Sequence, residues 1–177
     1  MSARTARRLA PRARKAILSV HVAASVALVG TTASVAIVAL TAAGSDRAAE
    51  AHALYSALRT LVFGLAIPFS FTSLITGVAL GLGTHWGVLR HAWVAAKLAL
   101  QLAIILTGAL AVRPWLDHLL EASASGTGAA LGAPRWELPL AGAFNLALAL
   151  TAVGLAVFKP RRRLQPSSAP RALAASD

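Results

Sequence analysis

The chain has 177 residues, enough for one domain, and 57% of them are hydrophobic while only 13% are charged. Soluble domains carry about 25% charged residues, so this composition points away from a water-soluble globule and towards a membrane protein. The net charge of +11 does not indicate a nucleic-acid binder: eleven of the seventeen Lys and Arg residues lie in the terminal tails, not on a folded face. The absence of cysteine removes disulfides, thiolate metal sites and Cys nucleophiles.

In chain order, residues 1–15 form a basic tail with Arg4, Arg7, Arg8, Arg12, Arg14 and Lys15. Span one is expected over residues 16–40. Its apolar run is far longer than the h-region of a secretory signal, about 7–15 residues, and so is read as a retained span. Residues 41–60 are expected to connect to span two, residues 61–82. Span three covers residues 91–112, after a short turn at 83–90. A connection at 113–137, with a Gly/Ala/Ser linker at 122–134, leads to span four, residues 138–158. Each span meets the need for about 20 apolar residues to cross roughly 30 Å of hydrocarbon. Residues 159–177 form a second basic tail, expected to be disordered. The expected fold is therefore an all-α four-helix transmembrane bundle, residues 16–158, lying in the lipid bilayer.

Orientation follows from the Lys and Arg residues near span ends. Both tails and the 83–90 turn, with Arg90, hold twelve basic residues. The other two connections hold four: Arg47, Arg59, Arg113 and Arg135. Both termini are therefore expected in the cytoplasm, with the chain in the cell membrane. Trp86 and Trp93 fall at the expected cytoplasmic edge, and Trp115, Trp136 and Tyr55 at the outer edge, as interface anchors do.

Polar residues inside the spans follow helical spacing. Ser73, Gly77 and Gly81 step by four along span two, which favours a close helix contact. Pro68 in the same span predicts a kink, with Ser70 and Thr72 near the freed carbonyl. His21, Ser25 and Thr32 share a stripe of span one. Arg90, Val94, Lys97 and Gln101 share one of span three. At 1.5 Å per residue, Gln101, Asn145 and Ser70/Thr72 reach similar depth near the midplane. The first reading of this set is hydrogen bonding between helices. The second is a polar pathway through Lys97, Gln101 and Asn145.

His21, His85 and His91 lie near one membrane face. Paired His21 and His91 on facing helices are the candidate cofactor ligands, for haem iron or copper, although no HxxxH or HxxxE pair shares a helix. The bland alternative is a hydrogen-bonded His21 with His85 and His91 as interfacial turn residues. Lys97, two turns into span three, either snorkels to the interface or serves an anion or proton site. His52 and His118 fall in the outer connections with no role assigned.

No catalytic residues are assigned: there is no GxSxG, no P-loop and no GxGxxG in a strand–helix setting. A non-enzymatic structural or accessory membrane protein is the leading expectation, with a membrane-protein partner or a second copy of the chain as its company. The alternative is a small transporter or a haem- or metal-binding bundle using His21, His91 and Lys97. A lipid-processing enzyme at the cytoplasmic face is a third idea, disfavoured because the acids lie mainly at the other side.

Four stretches carry a family resemblance: HVAASVALVG (21–30), GLGTHWGVLRHAWVAAKLAL (81–100), RPWL (113–116) and AVFKP (156–160). Over residues 15–160 the chain resembles a family of small four-span membrane proteins of unknown function common in high-GC Gram-positive bacteria. That family is distantly similar in layout to copper-resistance membrane proteins of the D type. The chain departs from the family pattern at Leu28, where a Trp is usual, and at Arg161 to Arg163, where a Trp-Gly-Arg ending is usual. The resemblance implies the four-span topology and leaves the activity open.

Overall fold

A computed structural model describes residues 9–83, 91–125, 132 and 134–158. They form an all-α four-helix bundle, and all four long helices are apolar enough to cross a membrane: Pro11–Gly44, Ala48–Gly83, Ala92–Ala124 and Pro134–Phe158. The first is α1 (Pro11–Gly44). The second runs through α2 (Ala48–Leu61), a π turn (Val62–Ala66) and α3 (Ile67–Gly83). The third repeats that plan with α4 (Ala92–Thr107), a π turn (Gly108–Val112) and α5 (Arg113–Ala124). The fourth is α6 (Pro134–Phe158).

α1 packs against α3 and α6, and α4 packs against the same two, so α1 and α4 stand diagonally opposed. Arg135, at the start of α6, donates from Nε to the Ala43 carbonyl and from Nη2 to the Ser45 carbonyl at 3.1 Å. At the other end, the Leu9 N–H donates to the Gly83 carbonyl at 3.2 Å. α1 and α6 are therefore antiparallel, and the two ends of the described chain share one end of the bundle.

The helices outrun the expected spans. α1 begins five residues before position 16, with Pro11 in the first turn, where its missing N–H costs nothing. More consequentially, the expected connections 41–60 and 113–137 are largely helical, as α2 and α5. The physical reason is amphipathicity. Ala51, Tyr55 and Leu58 fall on one face of α2, and Leu116, Leu119 and Ala122 on one face of α5. Their charged residues, such as Glu50, Arg59, Asp117 and Glu121, lower the hydropathy without breaking the helix. At 1.5 Å per residue the second helix is about 54 Å long, well beyond roughly 30 Å of hydrocarbon.

These extensions make a cap with its own core. Tyr55, Leu58, Leu116, Leu119 and Leu138 are the largest fully buried side chains of the described residues, and they cluster here with Ala39, Ala42 and Ala51. His52 Nδ1 pairs with the Ser123 hydroxyl at 3.0 Å, tying α2 to α5. Two expectations change as a result. Tyr55 is not an interface anchor but a core residue, and His52 has a structural partner. Elsewhere the bundle surface is apolar: Val26, Ile37, Ile75, Leu110, Leu140 and Val157 are each more than half exposed, as a lipid-facing surface requires.

Both π turns sit two residues before a proline, at Pro68 and Pro114. In each, the bond that closes the wide turn spans five residues: Ile67 N–H to the Val62 carbonyl, and Arg113 N–H to the Gly108 carbonyl. Proline supplies no N–H, so the helix widens just ahead of the missing donor. The expected break at Pro68 thus takes the form of a π turn, and it has a counterpart in the third helix.

Candidate functional site

The polar residues inside the bundle form two groups. The first joins α1 to α3. His21 Nδ1 lies 3.1 Å from the Ser73 carbonyl and 3.0 Å from Thr76 Oγ1. A carbonyl only accepts, so Nδ1 is the donor in its contact with Ser73. The Thr76 hydroxyl in turn donates to the Thr72 carbonyl at 2.6 Å. Ser25 and Ser73 pair through their hydroxyls at 3.1 Å. The His21 ring packs against Gly77, where an added Cβ would come within 3.1 Å of Cε1. Ser73 and Gly77 therefore lie on the face that α3 turns to α1.

Lys97, from the diagonally opposed α4, is half-buried and lies close enough to His21 for their charges to interact. His91 precedes α4, and its carbonyl accepts from the Val94 and Ala95 N–H groups at 3.1 and 3.2 Å. Among the described residues there is no group of three or more His, Asp or Glu side chains that could hold a metal ion. His85, Trp86 and Arg90 lie outside the described residues, as do most of both basic tails and most of the 122–134 linker.

The second group surrounds a cavity of about 190 Å³ at mid-height. Gln101, from α4, donates to the Ser70 carbonyl at 3.2 Å. Ser70, Thr32 and Asn145 line the cavity, bringing residues of α1, α3 and α6 to one depth as their positions in the sequence predict. Arg113 also lines it; the rest of the wall is apolar, including Leu28, Phe63, Phe71 and Ile104, and both π turns contribute to it. Thr32 satisfies its own hydroxyl on the Leu28 carbonyl at 2.9 Å. Asn145 does not: its side chain is 7% exposed, and Oδ1 has no hydrogen-bond partner among the described residues. The same holds for the Tyr55 hydroxyl in the cap.

Polar groups thus run from His21 and Lys97 at one end, through Ser25, Ser73 and Ser70 with Gln101, to Asn145 in the cavity. Sequence spacing identified His21, Lys97, Gln101 and Asn145 but not Thr76, nor the cavity. The available signal for the cavity was the pair of prolines, one in each of two consecutive spans, each opening a helix from within.

Comparison with protein-family models, with curated proteins and with solved structures finds no match for this chain. The site therefore has to be interpreted from its own geometry.

Proposed function

We propose that this chain is a non-enzymatic accessory protein of the cell membrane, with both termini in the cytoplasm. The observation that carries this reading is how the polar side chains are used. His21, Ser25, Ser73, Thr76 and Gln101 bond from one helix to another and so serve as ties within the bundle. The twelve-to-four bias of basic residues supports the orientation, and the four-span family resemblance is consistent with it. A partner within the membrane, a second copy or another membrane protein, fits the broad apolar surface.

The test is an absorption spectrum with metal analysis of the full chain purified in detergent. The expected result is no Soret band and no stoichiometric metal. A Soret band or bound copper that disappears in His21→Ala would overturn the proposal in favour of the haem- or metal-binding bundle. A second reading, a small transporter, is favoured by one observation: the polar string leads into a cavity with an unpaired amide.

A further inference from the structure

We infer that the seam between the second and third helices binds one anionic phospholipid, its phosphate held by Arg59 and Arg113 and one acyl chain laid in the groove below them. The inference needs the chain to lie in a bilayer and goes beyond the accessory role proposed above.

Three observations lead there. The first is a pair of matched stripes. On the second helix Arg59, Phe63, Ile67 and Phe71 follow at four-residue steps, and on the third Ile105, Ala109 and Arg113 do the same. All but Arg59 line the cavity of about 190 Å³, and the Arg59 guanidinium lies 5.9 Å from the centre of the Phe63 ring. α2 packs on α5 and α3 on α4, so the two helices are antiparallel and each stripe ends in an arginine on the cap side. Phe63, Ile67 and Phe71 are 40%, 39% and 47% exposed, so this wall opens to lipid. The polar liners Thr32, Ser70 and Asn145 are buried on the inner side, which leaves hydrocarbon on the open side below the arginines. α3 packs more heavily on α1, and α4 on α6, than they do on each other, so the seam is the loose side of both. A void of roughly 150 Å³ takes the six carbons of benzene, so the groove has room for a segment of one acyl chain.

The second is depth. At 1.5 Å per residue, Arg59 stands about 36 Å along its helix from Gly83, and Arg113 about 32 Å from Ala92. Hydrocarbon is roughly 30 Å thick. With the Gly83 and Ala92 ends at one interface, both arginines reach the other, where phosphates lie, and the apolar stripes hang into the hydrocarbon. The third is available charge. Both arginines are exposed, and neither guanidinium donates a hydrogen bond among the described residues. Arg113 has a carboxylate nearby, Asp117, but at 3.9 Å from Nε the pair is too long for a hydrogen bond and is open to solvent. Two guanidinia against that carboxylate leave a positive rim, and the planar fork of each suits two phosphate oxygens.

The test is native mass spectrometry of the full chain in an uncharged detergent, titrated with dioleoylphosphatidylglycerol or dioleoylphosphatidylcholine. One saturable phosphatidylglycerol adduct is expected, tighter than phosphatidylcholine by roughly 30-fold, about fivefold for each of two basic groups near an anionic head. Glycerol phosphate, a head without chains, should not displace it. Arg59→Gln combined with Arg113→Gln should bring the two lipids to equal affinity. Arg12→Gln combined with Arg14→Gln, which removes the same charge at the opposite end, should keep the preference. Ala109→Phe, which fills the groove, should weaken both lipids. Equal or unsaturable binding of the two lipids by the unmodified chain overturns the site, as does a preference lost only in the Arg12 and Arg14 variant. Displacement by glycerol phosphate overturns the lipid in favour of a soluble anion, and a dimer that excludes lipid overturns it in favour of a second copy. The comparison of lipids on the unmodified chain holds even where a variant fails to fold.

Discussion

The crossing of α1 and α6 sets a sharp test of the packing. A Cβ built on Gly142 would lie 2.9 Å from Ala36 Cα, 3.1 Å from its nitrogen and 3.2 Å from its Cβ. Two of these are backbone atoms, which cannot rotate away. Gly142→Ala therefore forces the helices apart locally, from 2.9 Å towards the 3.4 Å at which ordinary contact begins. Overpacking of this kind costs about 1–3 kcal/mol. The substitution also gains up to about 1 kcal/mol of helix propensity, which would hide part of the loss. Gly154 provides the control. It lies on the same helix, and an added Cβ there meets nothing within 4 Å. Gly154→Ala takes the same propensity gain without the clash, so the difference between the two variants isolates the contact. Titration with SDS, followed by tryptophan fluorescence and far-UV circular dichroism, should place Gly142→Ala about 1–3 kcal/mol below Gly154→Ala. Equal midpoints for the two would refute the close crossing.

Further expectations follow from other contacts. Arg135→Gln removes the guanidinium from the Ala43 and Ser45 carbonyls and should cost about 1.5–3 kcal/mol in the same titration. Leu116→Ala, in the cap core, should cost about 2–5 kcal/mol, whereas Leu150→Ala, at a residue 52% exposed, should cost far less. Tyr55→Phe deletes an unpartnered buried hydroxyl and should leave stability unchanged or raise it; a clear loss would show that the hydroxyl has a partner. Because the chain has no cysteine, single thiols report topology directly. Asp46→Cys should react with a membrane-impermeant maleimide on intact cells, and Ser168→Cys only after the cells are opened; the reverse pattern would overturn the orientation.

The four helices were legible because a span is a composition signal. Residues 16–40 and 138–158 announce themselves by hydropathy alone, and α1 and α6 contain them whole. The depth of Ser70, Gln101 and Asn145 was legible for a related reason: a straight helix converts residue number into height. Other features were not. The charges in α2 and α5 pulled a hydropathy reading below the level of a span, although Ala51, Tyr55 and Leu58 repeat at helical spacing. His52 acquires its partner only once α5 is seen to be a helix beside α2. The cavity depends on two π turns, and one proline per helix gives the break without its form. His21 was identified as a functional candidate, but its bond to Ser73 depends on which helix stands next to α1, and spacing along one chain does not specify neighbours.

The location of the cap has an effect on the rest of the bundle. Water drives apolar side chains together, whereas lipid offers them no comparable gain, so the dense cluster of Tyr55, Leu58, Leu116 and Leu119 fastens the helices at one end as a ferrule holds a brush. Strength and emptiness are thereby kept at separate heights. A chain held so firmly at its rim can tolerate a hollow at mid-height and can replace the residues around that hollow without coming apart.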